Sequence, residues 1–214
     1  MSHRHAKSSS LLNIVINIEW SNFPCQSRKI GNNKSSIAVL SPGTKEILRL
    51  IMDNSEQANK LIIYTDGSSR GNPGPGGYGA VLMWGSKRKE LSAGYRLTTN
   101  NRMELMGVIA ALEALTKKHI PLTIYTDSQY IVNSVEKKWL DGWIRTDFKG
   151  GKKNKDLWMR YYRLASAFTI KFVWVKGHAE NQFNNRCDIL ATTAADGKNL
   201  LVDIGYEMEK GEML

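Results

Sequence analysis

Two short apolar runs constrain this chain more than any other feature of it. Leu61-Ile62-Ile63-Tyr64-Thr65 stops at Asp66-Gly67, and Leu122 to Thr126 stops at Asp127-Ser128. Runs of this length, rich in β-branched and aromatic residues, suit strands buried inside a sheet. Between them, Tyr78 to Trp84 and Glu90 to Leu97 are strand-like segments joined by Gly85-Ser86, which predicts an antiparallel meander after the glycine-rich turn from Gly71 to Gly77. Met103, Leu105, Met106, Ile109, Leu112 and Leu115 then recur at helical spacing, with Asn100 or Asn101 available as the cap. Further helices are predicted over about 129–139, 156–167 and 184–195, an alternating strand over 169–175, and a Lys/Gly-rich loop before residue 156. About five strands and four helices, with strand-helix-strand units after the meander, imply an α/β fold: a mixed sheet, part antiparallel and part parallel, covered by helices.

The remainder of the chain has a different texture. Residues 1–59 contain Ser8-Ser9-Ser10, Asn32-Asn33, Ser35-Ser36 and Pro42-Gly43 and show no sustained period. They read as a poorly structured extension, and a start at Met52 is set beside one at Met1. The expected organisation is an extension over 1–59, a folded unit over 60–208 and a tail over 209–214. Cys25 and Cys187 are too few to form a disulfide scaffold and fit a reducing, cytoplasmic compartment. The longest apolar stretch, Leu11 to Trp20, is interrupted by Asn13, Asn17 and Glu19 and falls short of the roughly 20 residues a bilayer requires, so no membrane partner is expected. Thirty basic residues against twenty acidic ones leave a net charge of +10, which points to a polyanionic partner.

Against that excess, four acidic residues stand out. Asp66 and Asp127 follow strand runs at the carboxyl edge, where open α/β sheets place their sites. Glu104 falls in the first turn of the helix between them, and Asp188 in the last helix, ten residues after His178. Each alone reads as a turn, cap or solvated helix residue. Brought together, they would raise one another's pKa and need a cation. Oxygen ligands without clustered Cys or His favour Mg²⁺ or Mn²⁺ over zinc. Two such ions about 4 Å apart are the clamp used in phosphodiester hydrolysis.

The segments Tyr64-Thr65-Asp66-Gly67-Ser68, Gly71-Asn72-Pro73-Gly74-Pro75-Gly76-Gly77-Tyr78-Gly79, Thr98-Thr99-Asn100-Asn101-Arg102-Met103-Glu104-Leu105, Thr126-Asp127-Ser128-Gln129-Tyr130, Trp174-Val175-Lys176-Gly177-His178 and Arg186-Cys187-Asp188 closely resemble the bacterial type 1 ribonuclease H family. They keep the family's order over about residues 60–208. The resemblance implies a ribonuclease H-like fold and an endonuclease that cuts the RNA strand of RNA/DNA hybrids, leaving 5′-phosphate and 3′-hydroxyl ends. It also implies work in primer and R-loop removal, by a monomer with no obligatory protein partner. By the same resemblance Asp66, Glu104, Asp127 and Asp188 hold two Mg²⁺ ions, for which Mn²⁺ substitutes, and His178 assists proton transfer or product departure. Asn72, Asn100, Asn101 and Gln129 match positions that reach the minor groove, and Thr99 and Asn154 match a pocket for a DNA-strand phosphate. Amides offer both donors and acceptors to 2′-hydroxyls and bases, while turn and cap chemistry explains the same asparagines locally.

The stretch 137–155 carries seven basic residues against two acidic ones, with Trp139, Trp143 and Phe148 interleaved. Lysines alone make a solvated face, but with aromatic groups among them they suit a nucleic-acid groove. By resemblance this is the family's basic protrusion, slightly shortened, and it offers Trp139, Trp143, Lys152, Lys153 and Lys155 as substrate contacts. The loop Ala179-Glu180-Asn181-Gln182-Phe183-Asn184 departs from the commonest family version, and residues 1–59 lack the pattern of the hybrid-binding domain of longer members. Two rivals stand beside this reading. A DNA-directed nuclease of the same fold, of the resolvase or integrase type, would not need the Asn/Gln set. A non-catalytic hybrid-binding protein would have lost a carboxylate.

Overall fold

The computed structural model describes residues 60–177 and 181–211; the expected extension over 1–59 and His178 lie outside the described residues. Strands β1 (Leu61–Ser69), β2 (Gly74–Trp84), β3 (Lys87–Thr98), β4 (Pro121–Thr126) and β5 (Thr169–Trp174) form one sheet in the order β3-β2-β1-β4-β5. β1 to β3 are the antiparallel meander, while β4 pairs parallel with β1 and with β5. Six helices join them: α1 (Asn100–Glu113), α2 (Gln129–Glu136), α3 (Trp139–Arg145), α4 (Lys155–Ala165), α5 (Gln182–Ala195) and α6 (Ile204–Lys210). The mixed five-stranded sheet is as expected from the sequence, and the described residues hold two more helices than expected.

The main core lies where α1 and α4 cover one face of the sheet. Leu61 and Ile63 of β1, Leu122 and Ile124 of β4 and Phe172 of β5 meet Met103, Leu105, Ile109 and Leu112 of α1 and Trp158 and Tyr161 of α4. α5 packs on the other face, against β1, β2 and β3. It lies so close that a Cβ on Gly79 or Gly94 would overlap the carbonyl oxygen of Cys187 or Ala194. That contact explains why the glycine-rich stretch is not all turn: β2 already begins at Gly74, and its glycines make the bed for α5.

Several boundaries differ from the sequence expectation. β1 does not stop at Asp66 but runs to Ser69, because Asp66 still pairs with Gly79 of β2 after the parallel register with β4 has ended at Tyr64 and Tyr125. β1 and β4 therefore part at the level of the two aspartates. Neither Asn100 nor Asn101 caps α1. Thr99 is the N-cap residue and makes no side-chain cap bond; the Asn100 amide donates instead to Asn72 Oδ1 at 3.2 Å, from a loop 28 positions earlier. The helix predicted to reach residue 139 ends at Glu136, and Lys138, with φ 57°, turns the chain into α3 inside what reads as a loop.

A buried ion network closes the side of the fold formed by α1, α4 and the C-terminal segment. Arg102 is fully buried and donates from Nε and Nη2 to Asp203 at 2.7 Å each, and from Nη1 and Nη2 to Asp156 at 2.8 and 2.6 Å. The Thr98 hydroxyl also donates to Asp203. Burial acts to lower the Arg102 pKa, but the hydrogen bonds to the two carboxylates outweigh it and leave the pKa raised.

Candidate active site

The crevice where β1 and β4 part collects the four carboxylates from four different elements. Asp66 lies within β1 and Asp127 one residue beyond β4, Glu104 on α1 and Asp188 on α5. Gly67 shows why this crevice is narrow: a Cβ there would overlap the backbone of Glu104, so α1 can approach β1 only at a glycine. Glu104 is the fifth residue of α1, at the start of its second turn rather than in the first. Its side chain is held from both sides. Asn100 Nδ2 donates to Oε1 at 2.9 Å, and the Ser128 hydroxyl makes a short bond to Oε2. Ser128 also caps α2 by accepting from the Ile131 amide at 3.3 Å. The backbone of Asp127 is fixed by the Trp174 indole, which donates to its carbonyl at 3.0 Å.

The charges of Asp127, Asp188 and Glu104 all bear on Asp66. Asp66 is 7% exposed and accepts a bond from the Gly67 amide at 2.7 Å. Burial first, and then the charge of Asp127, push its carboxyl up to about 8, and Asp188 and Glu104 add to the effect. Burial and Asp127 raise Glu104 to about 7 against the opposing bonds from Ser128 and Asn100. None of the ion pairs among the described residues involves Asp66, Glu104, Asp127 or Asp188. Nor do three metal-binding side chains among the described residues stand close enough to enclose an ion. The donor set nevertheless fits a hard divalent cation: all four groups are carboxylates, and the most buried of them lacks a positive partner.

Beside the crevice opens a cleft of ≈ 540 Å³. It brings together Asn72, Thr99, Asn101, Trp143, Lys152, Lys153 and Asn154 of the expected substrate contacts. Trp143 packs against Tyr130, Phe148 and Trp158, with Lys152 Nζ 5.8 Å from its ring centre, while Asn154 Nδ2 donates to the Tyr130 hydroxyl at 3.3 Å. The remaining expected contacts lie outside the lining. Asn100 is occupied with Glu104, Gln129 is an exposed first residue of α2, Trp139 is exposed beside Lys137, and Lys155 pairs with Asp147 at 2.6 Å. His178 cannot be compared in this way, being outside the described residues; the preceding Gly177 packs so closely on Asp127 that a Cβ would lie 2.5 Å from Oδ2.

The RNase H family model matches residues 58–196. The chain belongs to the ribonuclease H family. Among similar relatives, the ribonuclease H of Syntrophus aciditrophicus is 52% identical over 151 residues, covering 69% of this chain and 87% of the relative. That of Lachnoclostridium phytofermentans is 52% identical over 154 residues, covering 67% and 97%. Among solved structures, LC9-RNase H1, a type 1 RNase H, aligns with a TM-score of 0.60 at 30% identity over 72% of this chain and 82% of its own. RNase H1 of Halobacterium salinarum aligns with a TM-score of 0.51 at 29% identity over 64% and 98%.

Within this ribonuclease H, reasoning from sequence missed the side chains that hold the carboxylates. Ser128 stands next to Asp127 in the chain but acts on Glu104, 24 positions earlier. Asn184, 1% exposed on α5, donates to Asp127 Oδ2 at 3.4 Å from 57 positions later. Tyr206, Glu209 and Lys210 of α6 form a further wall of the cleft. Only the adjacency of Ser128 to Asp127 offered a signal; the other contacts depend on long-range packing.

Proposed function

We propose that this ribonuclease H is a metal-dependent endonuclease that hydrolyses the RNA strand of RNA/DNA hybrids, leaving 5′-phosphate and 3′-hydroxyl ends. The observation that carries the reading is a set of four carboxylates, with Asp66 buried among them and none in an ion pair among the described residues, beside a cleft of amides and lysines. Asp66, Glu104, Asp127 and Asp188 are assigned to two divalent cations, Mg²⁺ with Mn²⁺ as substitute. Bound there, the cations would activate water and stabilise the departing oxygen. Ser128 and Asn100 keep Glu104 oriented, which lowers the cost of gathering the ligands.

On the substrate side, Asn72 and Asn101 are assigned to the minor groove together with Asn100 and Gln129, where amides distinguish a strand bearing 2′-hydroxyls. Thr99 and Asn154, both lining the cleft, take a phosphate of the DNA strand, with Lys152 and Lys153 supplying charge beside the Trp143 surface. His178 is assigned to proton exchange near neutrality, where an ordinary imidazole titrates at about 6.5. The catalytic unit is assigned to residues 60–208 and the cellular role to primer and R-loop removal; the family match supports the part of that span up to residue 196.

The test is substitution of one oxygen ligand. Asp127→Asn is expected to abolish cleavage of a labelled hybrid while the hybrid still binds, because the cleft is left intact. Full activity in that variant would remove the carboxylates from the mechanism.

A further inference from the structure

The first turn of α5 carries an arrangement that the proposed chemistry leaves unused. Asn184 is buried, its Nδ2 donates to Asp127 Oδ2, and its Oδ1 has no hydrogen-bond partner among the described residues. Reversing the amide would set two acceptors against each other, so the orientation that leaves Oδ1 unsatisfied is the one that serves the carboxylate.

What seats Asn184 there is a set of contacts from other strands. Asn181 Oδ1 accepts from the Phe183 and Asn184 amides at 3.1 Å each. The Phe183 ring lies 5.2 Å from that of Tyr64, which stacks on Tyr125 at 4.8 Å and 16°. The Arg88 guanidinium covers Phe183 at 5.4 Å. Tyr64 and Tyr125 each precede an aspartate by two residues, so the stack rises along the same strand segments that carry Asp66 and Asp127. The start of α5 is thus located by the backbone of the site itself. Phe183 lies in the loop that departs from the commonest family sequence.

We infer that Phe183 and Asn184 are positioning residues: the aromatic seat holds the first turn of α5 so that Asn184 fixes the Asp127 carboxylate in the orientation that receives a divalent cation. The inference rests on the function proposed above. A donor that orients a metal-binding carboxylate acts on cation affinity before it acts on substrate.

Calorimetric titration of Mg²⁺, and separately Mn²⁺, into the full chain tests it, alongside thermal unfolding and hybrid cleavage. Asn184→Leu keeps the branched outline of the side chain and removes the donor, and is expected to weaken cation binding about tenfold. Phe183→Ala is expected to weaken it in the same direction and Phe183→Tyr to restore it. With excess cation, kcat should recover in each variant and KM for the hybrid should match the wild type. Should Asn184→Leu fail to fold, the half-buried Phe183 pair carries the test. Unchanged cation affinity in folded variants would overturn the inference alone. A wild-type chain that takes up no cation would overturn the proposed function with it.

Discussion

Asp66→Asn is expected to stabilise this protein in the absence of divalent cations while destroying its activity. The cause is the cost of keeping a carboxylate ionised when it is 7% exposed and faces Asp127 without a cation. A carboxyl whose folded pKa is raised to about 8 binds a proton in the folded state that the unfolded chain has released. Its contribution is therefore most favourable at low pH and is lost as pH rises from about 4 towards 8. At pH 7 the gap from the ordinary value is about 3 pKa units, an upper bound of about 4 kcal/mol. Local relaxation and water penetration reduce this to about 2 kcal/mol, or about 4–8 °C for a domain of this size. An asparagine can still accept the Gly67 amide, so the shape of the site is kept. The assay is thermal unfolding in EDTA from pH 5 to 8. The wild type should lose stability relative to Asp66→Asn across that window, with Glu104, raised to about 7, keeping some slope in the variant. Saturating Mg²⁺ should reverse the ranking. A variant no more stable than the wild type in EDTA at pH 7 would refute the electrostatic reasoning.

Further outcomes follow from the surrounding structure. Arg102→Met is expected to cost about 3–5 kcal/mol, because it strands Asp203 at 3% exposure; equal midpoints in a urea titration would contradict this. Asp156→Asn should cost less, since the Asp156 side chain is 44% exposed. Neutralising Lys152 and Lys153 should weaken hybrid binding and flatten its dependence on log salt by about 0.9 for each phosphate no longer neutralised, whereas Lys155→Ala, whose ammonium already pairs with Asp147, should change the slope little. Binding titrations from low to moderate salt would separate the two.

The parts of the site legible in the sequence are those written locally. Asp66 and Asp127 could be found because buried runs of β-branched and aromatic residues lead into them, whereas Glu104 and Asp188 read locally as ordinary helix residues and are singled out only by the family resemblance. Where a partner comes from afar, local pattern is silent or misleading. Asn100 looks like a helix cap, yet the loop at Asn72 satisfies its amide and leaves its side chain for Glu104. Trp139 to Arg145 is only seven residues long and contains Gly142, too short for its apolar pairs to establish a helical period, so α3 emerges only when Lys138 adopts a positive φ. The glycines of β2 resemble turn residues until α5 lies across them. Arg102 and Asp203, 101 positions apart, carry no signal of their pairing.

The proposed pairing of a carboxylate cation site with a cleft that selects a hybrid is tested most directly by incubating the full chain with labelled RNA/DNA hybrid, duplex DNA, duplex RNA and single-stranded RNA, with Mg²⁺, Mn²⁺ or EDTA. Internal cuts are expected in the RNA of the hybrid alone, with either cation and none in EDTA, and products ending in 5′-phosphate and 3′-hydroxyl. Cleavage of duplex DNA, or of the hybrid in EDTA, would contradict that pairing of site and cleft.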